Sequence, residues 1–122
     1  MYTELVCALE LDKNTPVVVI NAIEFMTGQR DELDTVPDHE LFKSARWRFM
    51  LRGDSYYFDG DSHSVIRFDQ FGTWYVTIRC NLKNYDDEIE KFVDWISLYS
   101  ETSGFIGYTR YEEDEHPKLL YI

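Results

Sequence analysis

The stretch Trp74-Tyr75-Val76-Thr77-Ile78-Arg79-Cys80-Asn81-Leu82 decides the fold class. Trp74, Val76, Ile78, Cys80 and Leu82 alternate with Tyr75, Thr77, Arg79 and Asn81, so an extended chain here has one apolar and one polar face. Its β-branched and aromatic residues suit a pleated, half-buried surface. Immediately after it, Asn84-Tyr85-Asp86-Asp87-Glu88 provides a capping residue, Asn or Asp, and an acidic first turn that complements a helix dipole. Ile89, Phe92, Val93, Ile96 and Tyr99 then recur at helical spacing, with Glu88, Glu90, Lys91 and Asp94 largely off that stripe. A half-buried strand feeding an amphipathic helix is the signature of a sheet layered with helices.

Working outward, strands are expected at 3–11, 54–58, 64–69, 73–82, 104–111 and 118–122. In the first, Leu5, Cys7, Leu9 and Leu11 share a face opposite Glu4 and Glu10. Lys13-Asn14-Thr15-Pro16 follows as a helix start, with Thr15 as cap and Pro16 at the first helical position. Val19, Ile20, Ile23 and Met26 continue at helical spacing, and Gly28 is a natural stop. Residues 29–37 read as a polar loop. Asp38 is expected to cap a short helix through Leu41, Phe42 and Ala45, ending near Phe49 or before Gly53. Gly72 marks one turn between strands, Gly104 releases the second helix, and residues 112–117 form an acidic turn.

Lys13-Asn14 and Lys83-Asn84 each lie between an alternating strand and a helix, and strand, helix, then two strands describes both halves. The inward parity of the two leading strands differs by one residue, so a bulge or coincidence also fits the echo. The expectation is a single α+β domain, 1–122. It has two layers: a mostly antiparallel sheet with two main helices on one face. The arrangement is ferredoxin-like, from a β-α-β-β duplication with a helical insertion at about 29–53.

The chain is long enough for one core, and a hydrophobic content of 44% argues against disorder. Twelve basic against 23 acidic side chains give a net charge of −11, which repels nucleic acid and anionic membrane and favours a basic partner surface. Cys7 and Cys80 sit singly in apolar segments and read as reduced core residues. No apolar run approaches a membrane span, and Glu4 interrupts any early signal sequence, so the expected location is cytoplasmic.

The most unusual local feature is 43–52, which holds Lys43, Arg46, Arg48 and Arg52 and no acid, with Trp47 interleaved. Ser55, Tyr56, Tyr57, His63 and Ser64 follow. Guanidinium forks suit phosphate or carboxylate and aromatic faces suit a base, so an anionic, nucleotide-like ligand is one expectation at Lys43, Arg46, Trp47, Arg48, Arg52, Tyr56, Tyr57 and His63. The plainer account is that these arginines pair with the protein's own acids, such as Asp31, Asp34 or Glu112. The complementary feature is the run Glu112, Glu113, Asp114, Glu115. It is a candidate partner-binding surface that imitates a phosphate track, or an ordinary solvated turn.

Asp59, Asp61 and His63 alternate near Asp54, but the ligand order of a calcium loop is incomplete and no Cys/His set suggests zinc. No metal and no cofactor is expected. Ser62-His63-Ser64 offers a nucleophile and a base, yet neighbours on a strand point to opposite faces. No nucleophile elbow, phosphate-binding loop or dinucleotide fingerprint occurs. A small hydrolase is therefore the least supported reading, and no catalytic residue is assigned.

Arg46-Trp47 through Ser55-Tyr56-Tyr57, Leu82-Lys83-Asn84-Tyr85-Asp86 through Trp95-Ile96, and Gly107-Tyr108 through Tyr111-Glu112-Glu113-Asp114 together resemble a group of small proteins. These are found in Gram-positive bacteria and their phages and mobile elements. The resemblance brings no known activity and no catalytic residues. It implies a phage-versus-host role of the inhibitor or anti-defence kind. The expected function is then non-enzymatic binding of a bacterial host protein, a nucleic-acid-binding one among the candidates, through the acidic, aromatic-rich surface. The alternatives are sequestration of an anionic nucleotide-like molecule, and hydrolysis. Direct nucleic-acid or membrane binding is not expected, whereas exposed sheet edges and abundant tyrosine are compatible with a homodimer.

Overall fold

The computed structural model describes residues 2–53 and 64–122. Its elements in chain order are β1 (Thr3–Leu11), α1 (Val17–Thr27), a 3₁₀ turn (Glu40–Lys43), β2 (Val65–Phe68), β3 (Trp74–Leu82), α2 (Glu88–Ser97), β4 (Phe105–Tyr111) and β5 (Lys118–Tyr121). The expected strand at 54–58 lies outside the described residues. The five strands form one sheet in the order β2-β3-β1-β4-β5, and every neighbouring pair is antiparallel. With the two helices this makes a two-layer α+β structure.

Alternation sets which face is buried. Leu5, Cys7, Leu9 and Leu11 of β1 and Val76, Ile78, Cys80 and Leu82 of β3 share the inner face, matched by the register Leu5↔Cys80, Cys7↔Ile78 and Leu9↔Val76. Against them pack Val19, Ile20, Ala22, Ile23 and Met26 from α1 and Ile89, Phe92, Trp95 and Ile96 from α2. Leu41, Trp47, Met50 and Leu51 join the same buried cluster, so residues 40–53 thicken this core and do not build a second one.

A file of rings ties the two helices together. Phe25 meets Trp47 at 5.9 Å, Trp47 and Trp95 each meet Phe42 edge-on at 4.9 Å, and Trp95 meets Tyr99 at 6.3 Å. Edge-to-face pairs of this kind each add about 0.5–1.5 kcal/mol beyond simple burial.

Three local expectations are corrected. Thr15 does not cap α1: its hydroxyl donates to the Asp12 carbonyl at 2.6 Å, closing the turn after β1, while Pro16 holds the cap position and the helix begins at Val17. The short helix at 38–49 is only the 3₁₀ turn. His39, not Asp38, caps it, with Nδ1 accepting from the Leu41 N–H at 3.0 Å. Ser44 ends it in an extended conformation, its hydroxyl taken by the Leu41 carbonyl, the competition with backbone bonding that keeps serine out of helix interiors. Glu88 is fully buried where the stripe reading turned it outward. It sits at the helix start, and its Oε1 folds back to accept from the Asp86 N–H at 2.8 Å. Asn84 does serve the N-terminus of α2, its Oδ1 accepting from the Ile89 N–H at 2.9 Å. Gly28 stops α1 in the left-handed region, as expected.

β1 and β4 approach closely at Gly107, which faces Cys7 at φ +156°. A Cβ there would lie 2.0 Å from the Val6 carbonyl oxygen, so only glycine fits this ladder. Among the described residues no helix is long and apolar enough to cross a membrane.

Candidate functional site

Two concave surfaces lie near the residues singled out in the sequence, and the first is lined by two of them, Arg46 and Arg52. The first is a groove of about 440 Å³ lined by Tyr2, Arg46, Phe49, Met50, Arg52, Gly53, Asn81, Leu82 and Lys83. The turns at 45–53 form one wall, and the ends of β1 and β3 form the other, since Thr3 pairs with Leu82. The Asn81 N–H donates to the Gly53 carbonyl at 3.2 Å and fastens the two walls together. Gly53 is needed at that seam, because a Cβ would come 2.5 Å from the Asn81 carbonyl oxygen.

The cations here are held by rings. Arg46 lies over Tyr85 at 5.4 Å, Lys83 over Tyr2 at 5.7 Å, and Arg52 over Phe25 at 5.2 Å and Phe49 at 5.9 Å. Arg52 also donates to the Phe25 carbonyl at 2.6 Å. Arg48 stacks on Trp47 at 4.7 Å and Phe25 at 5.7 Å, away from the groove lining. Among the described residues, none of Arg46, Arg48, Arg52 and Lys83 forms an ion pair with a carboxylate. Self-pairing with Asp31, Asp34 or Glu112 is therefore not what the described residues do.

Of the sequence candidates, Arg46 and Arg52 come together in this groove. Lys43 pairs with Glu40 at 3.2 Å and does not line it. Trp47 is 5% exposed, a core residue whose ring supports Arg48 instead of facing a ligand. Tyr56, Tyr57 and His63 lie outside the described residues, as do Asp54, Asp59, Asp61 and Ser62. Among the described residues no three His, Cys, Asp or Glu side chains converge as metal ligands. Sequence reading missed Tyr2, Phe49 and Lys83. Lys83 and Tyr2 are brought to the groove only by the β1–β3 register, which no local pattern reveals.

The second surface lies between α2 and β5, a groove of about 460 Å³. Ile89, Val93, Leu120 and Ile122 give it apolar walls, with Glu90, Asp94 and Lys118 also lining it. The Asp94 carboxylate lies 2.9 Å from His39 Nε2; with Nδ1 already accepting, Nε2 carries the proton it donates. β5 pairs only with β4 among the described residues, so one backbone edge runs open beside this groove. Leu119 and Tyr121 on that strand are 49% and 60% exposed, apolar area at an edge.

The turn leading into β5 is the acidic run, exposed from Glu112 to Glu115. Glu112 Oε1 accepts from the Tyr2 N–H at 2.7 Å and Asp114 Oδ2 from the Tyr111 N–H at 3.3 Å. Two of the four carboxylates thus have structural work, and Glu113 and Glu115 are the ones without a described hydrogen bond. Desolvation, followed by the charges of Glu113 and Glu112, holds the Tyr111 hydroxyl above its ordinary pKa. Compared with protein-family models, with curated proteins and with solved structures, the chain shows no match in any of the three.

Proposed function

We propose that this protein is a non-enzymatic binding module that docks an extended, basic segment of another protein along β5. The observation that carries this reading is the open edge of β5 lying beside an apolar groove in an acidic setting. An extended segment adds to such an edge through main-chain hydrogen bonds, and alternate side chains drop into the adjoining pocket. Here Ile89, Val93, Leu120 and Ile122 would receive apolar side chains, while Glu90, Glu113 and Glu115 would meet lysines or arginines. Among the described residues Lys118 is the one opposing charge in the groove lining and would set where a partner's own acid sits. Complementary charge of this kind speeds encounter and selects partners more than it adds affinity.

The resemblance to small phage and mobile-element proteins suggests the class of partner: a bacterial protein whose basic surface otherwise holds nucleic acid, blocked by this acidic one. The same reading takes the strand order β2-β3-β1-β4 with its two helices as ferredoxin-like, a duplicated β-α-β-β unit to which β5 adds the docking edge.

The test starts from a partner recovered from bacterial lysate, identified and purified. Complex formation is then measured from purified components with the wild type, with Glu113→Lys/Glu115→Lys and with Val93→Glu. At least tenfold weaker binding for both variants, with unchanged far-ultraviolet circular dichroism, is the expected result. A partner whose binding survives both variants, or a homodimer through β5 as the only complex formed, refutes the reading.

A further inference from the structure

The groove on the opposite side of β1 from β5 has a different chemistry, independent of partner docking. Arg46, Arg52 and Lys83 line it together, and none of the described residues that line it is acidic. That is unexpected by chance in a chain with 23 acidic and only 12 basic side chains.

The way these cations are held matters. A carboxylate partner would cancel most of a guanidinium's field, whereas an aromatic face fixes its position and leaves its charge in place. Arg46 on Tyr85, Lys83 on Tyr2 and Arg52 on Phe25 and Phe49 are all of the second kind. The groove is therefore a preset positive site, with guanidinium forks suited to phosphate oxygens.

Apart from Gly53 and Asn81, the rest of the described lining is apolar or aromatic. Met50 and Leu82 are buried at the base, and Phe49 on the wall is 65% exposed. An exposed ring beside a cluster of cations offers a stacking face to a flat heterocycle. A volume of about 440 Å³ falls within the range of small-molecule sites. A long polyanion is disfavoured because the net charge of −11 would repel its remainder.

We propose that this groove binds a mononucleotide, with its phosphate between Arg46 and Lys83 and its base stacked on Phe49 beside Arg52. The phosphate and the ring each supply part of the affinity, so neither half alone substitutes for the whole.

The experiment is a heteronuclear NMR titration at 0.15 M salt with four probes: 5′-AMP, 5′-GMP, adenosine and inorganic phosphate. Saturable binding of a mononucleotide is expected, with shifts concentrated at Tyr2, Phe49, Gly53 and Leu82, and affinity at least tenfold above adenosine and above phosphate. Lys83→Glu, an exposed site that leaves the core untouched, should weaken it at least tenfold, and Phe49→Ala should bring the nucleotide down toward phosphate. Retained dispersion of the amide spectrum shows that each variant is folded. Three results overturn the proposal: no saturable binding of either nucleotide, phosphate binding as tightly as the nucleotide, or binding indifferent to Lys83→Glu. Because Lys83 and Phe49 do not line the β5 groove, none of these results depends on the docking reading.

Discussion

Substituting Gly107 by alanine introduces a methyl group into the seam between β1 and β4. The new Cβ would lie 2.0 Å from the Val6 carbonyl oxygen and 2.6 Å from Cys7 Cα. Both are backbone atoms of the central strand, hydrogen-bonded to β3 on its other side, so neither can swing away as a side chain would. Overpacking costs about 1–3 kcal/mol, and an L residue forced into a sparsely populated backbone region costs a further ~1–3 kcal/mol. The sum, roughly 2–6 kcal/mol, is a large part of the ~5–15 kcal/mol that holds a domain together. The assay is urea unfolding followed by tryptophan fluorescence, where a slope of about 1–3 kcal/mol/M converts this loss into a midpoint drop of about 1 M or more. Gly104→Ala is the internal control: its φ is +85° but nothing lies within 4 Å of the added Cβ, so only the left-handed backbone cost of about 1–2 kcal/mol applies. If Gly107→Ala falls no further than Gly104→Ala, the β1–β4 register described here is wrong.

Two further outcomes follow from buried polar chemistry. Burial pushes the Cys7 thiol from 9.0 up to about 12 and raises Cys80 as well, so the folded state keeps both protonated where an unfolded chain ionises. That contribution is complete below about pH 9 and is lost as pH rises toward 12; Cys7→Ala should flatten the decline in urea midpoint between pH 8 and pH 10. The Glu4 side chain is fully buried on the outer sheet face and lies 3.1 Å from Arg110. Arg110→Met should therefore cost about 3 kcal/mol in the same unfolding assay, and the double variant Glu4→Gln/Arg110→Met should recover much of it.

Much of the architecture was legible in the sequence because period-2 and period-3.6 patterns report burial directly. β3 and β1 were read within a residue or two, and Ile89, Phe92 and Ile96 lie on the buried face of α2. What failed was local competition: Thr15, Ser44 and Glu88 each have a side chain that bonds to nearby backbone, and type alone does not say which backbone group wins. The site was legible only in part for a different reason. Arg46 and Arg52 stand out as a local cluster, but Tyr2 and Lys83 are 81 positions apart and meet through strand register. Trp47 misled because an aromatic among arginines looks the same in sequence whether it faces a ligand or the core.

The place of β1 in the middle of the sheet also bears on how the chain is made. Its two neighbours are β3, beginning at Trp74, and β4, ending at Tyr111, and among the described residues it forms no hairpin with anything closer. At a synthesis rate of about 5–20 residues per second, this apolar strand waits roughly 5–20 s between its own completion and the arrival of its last partner. Until β3 is complete at Leu82, which takes up most of that interval, Leu5, Cys7, Leu9 and Leu11 have no sheet to enter. The nascent chain is thus most vulnerable to off-pathway association before β3 is made. A circular permutant that places β1 after β4 would shorten the wait and should refold faster, since the pairing becomes more local.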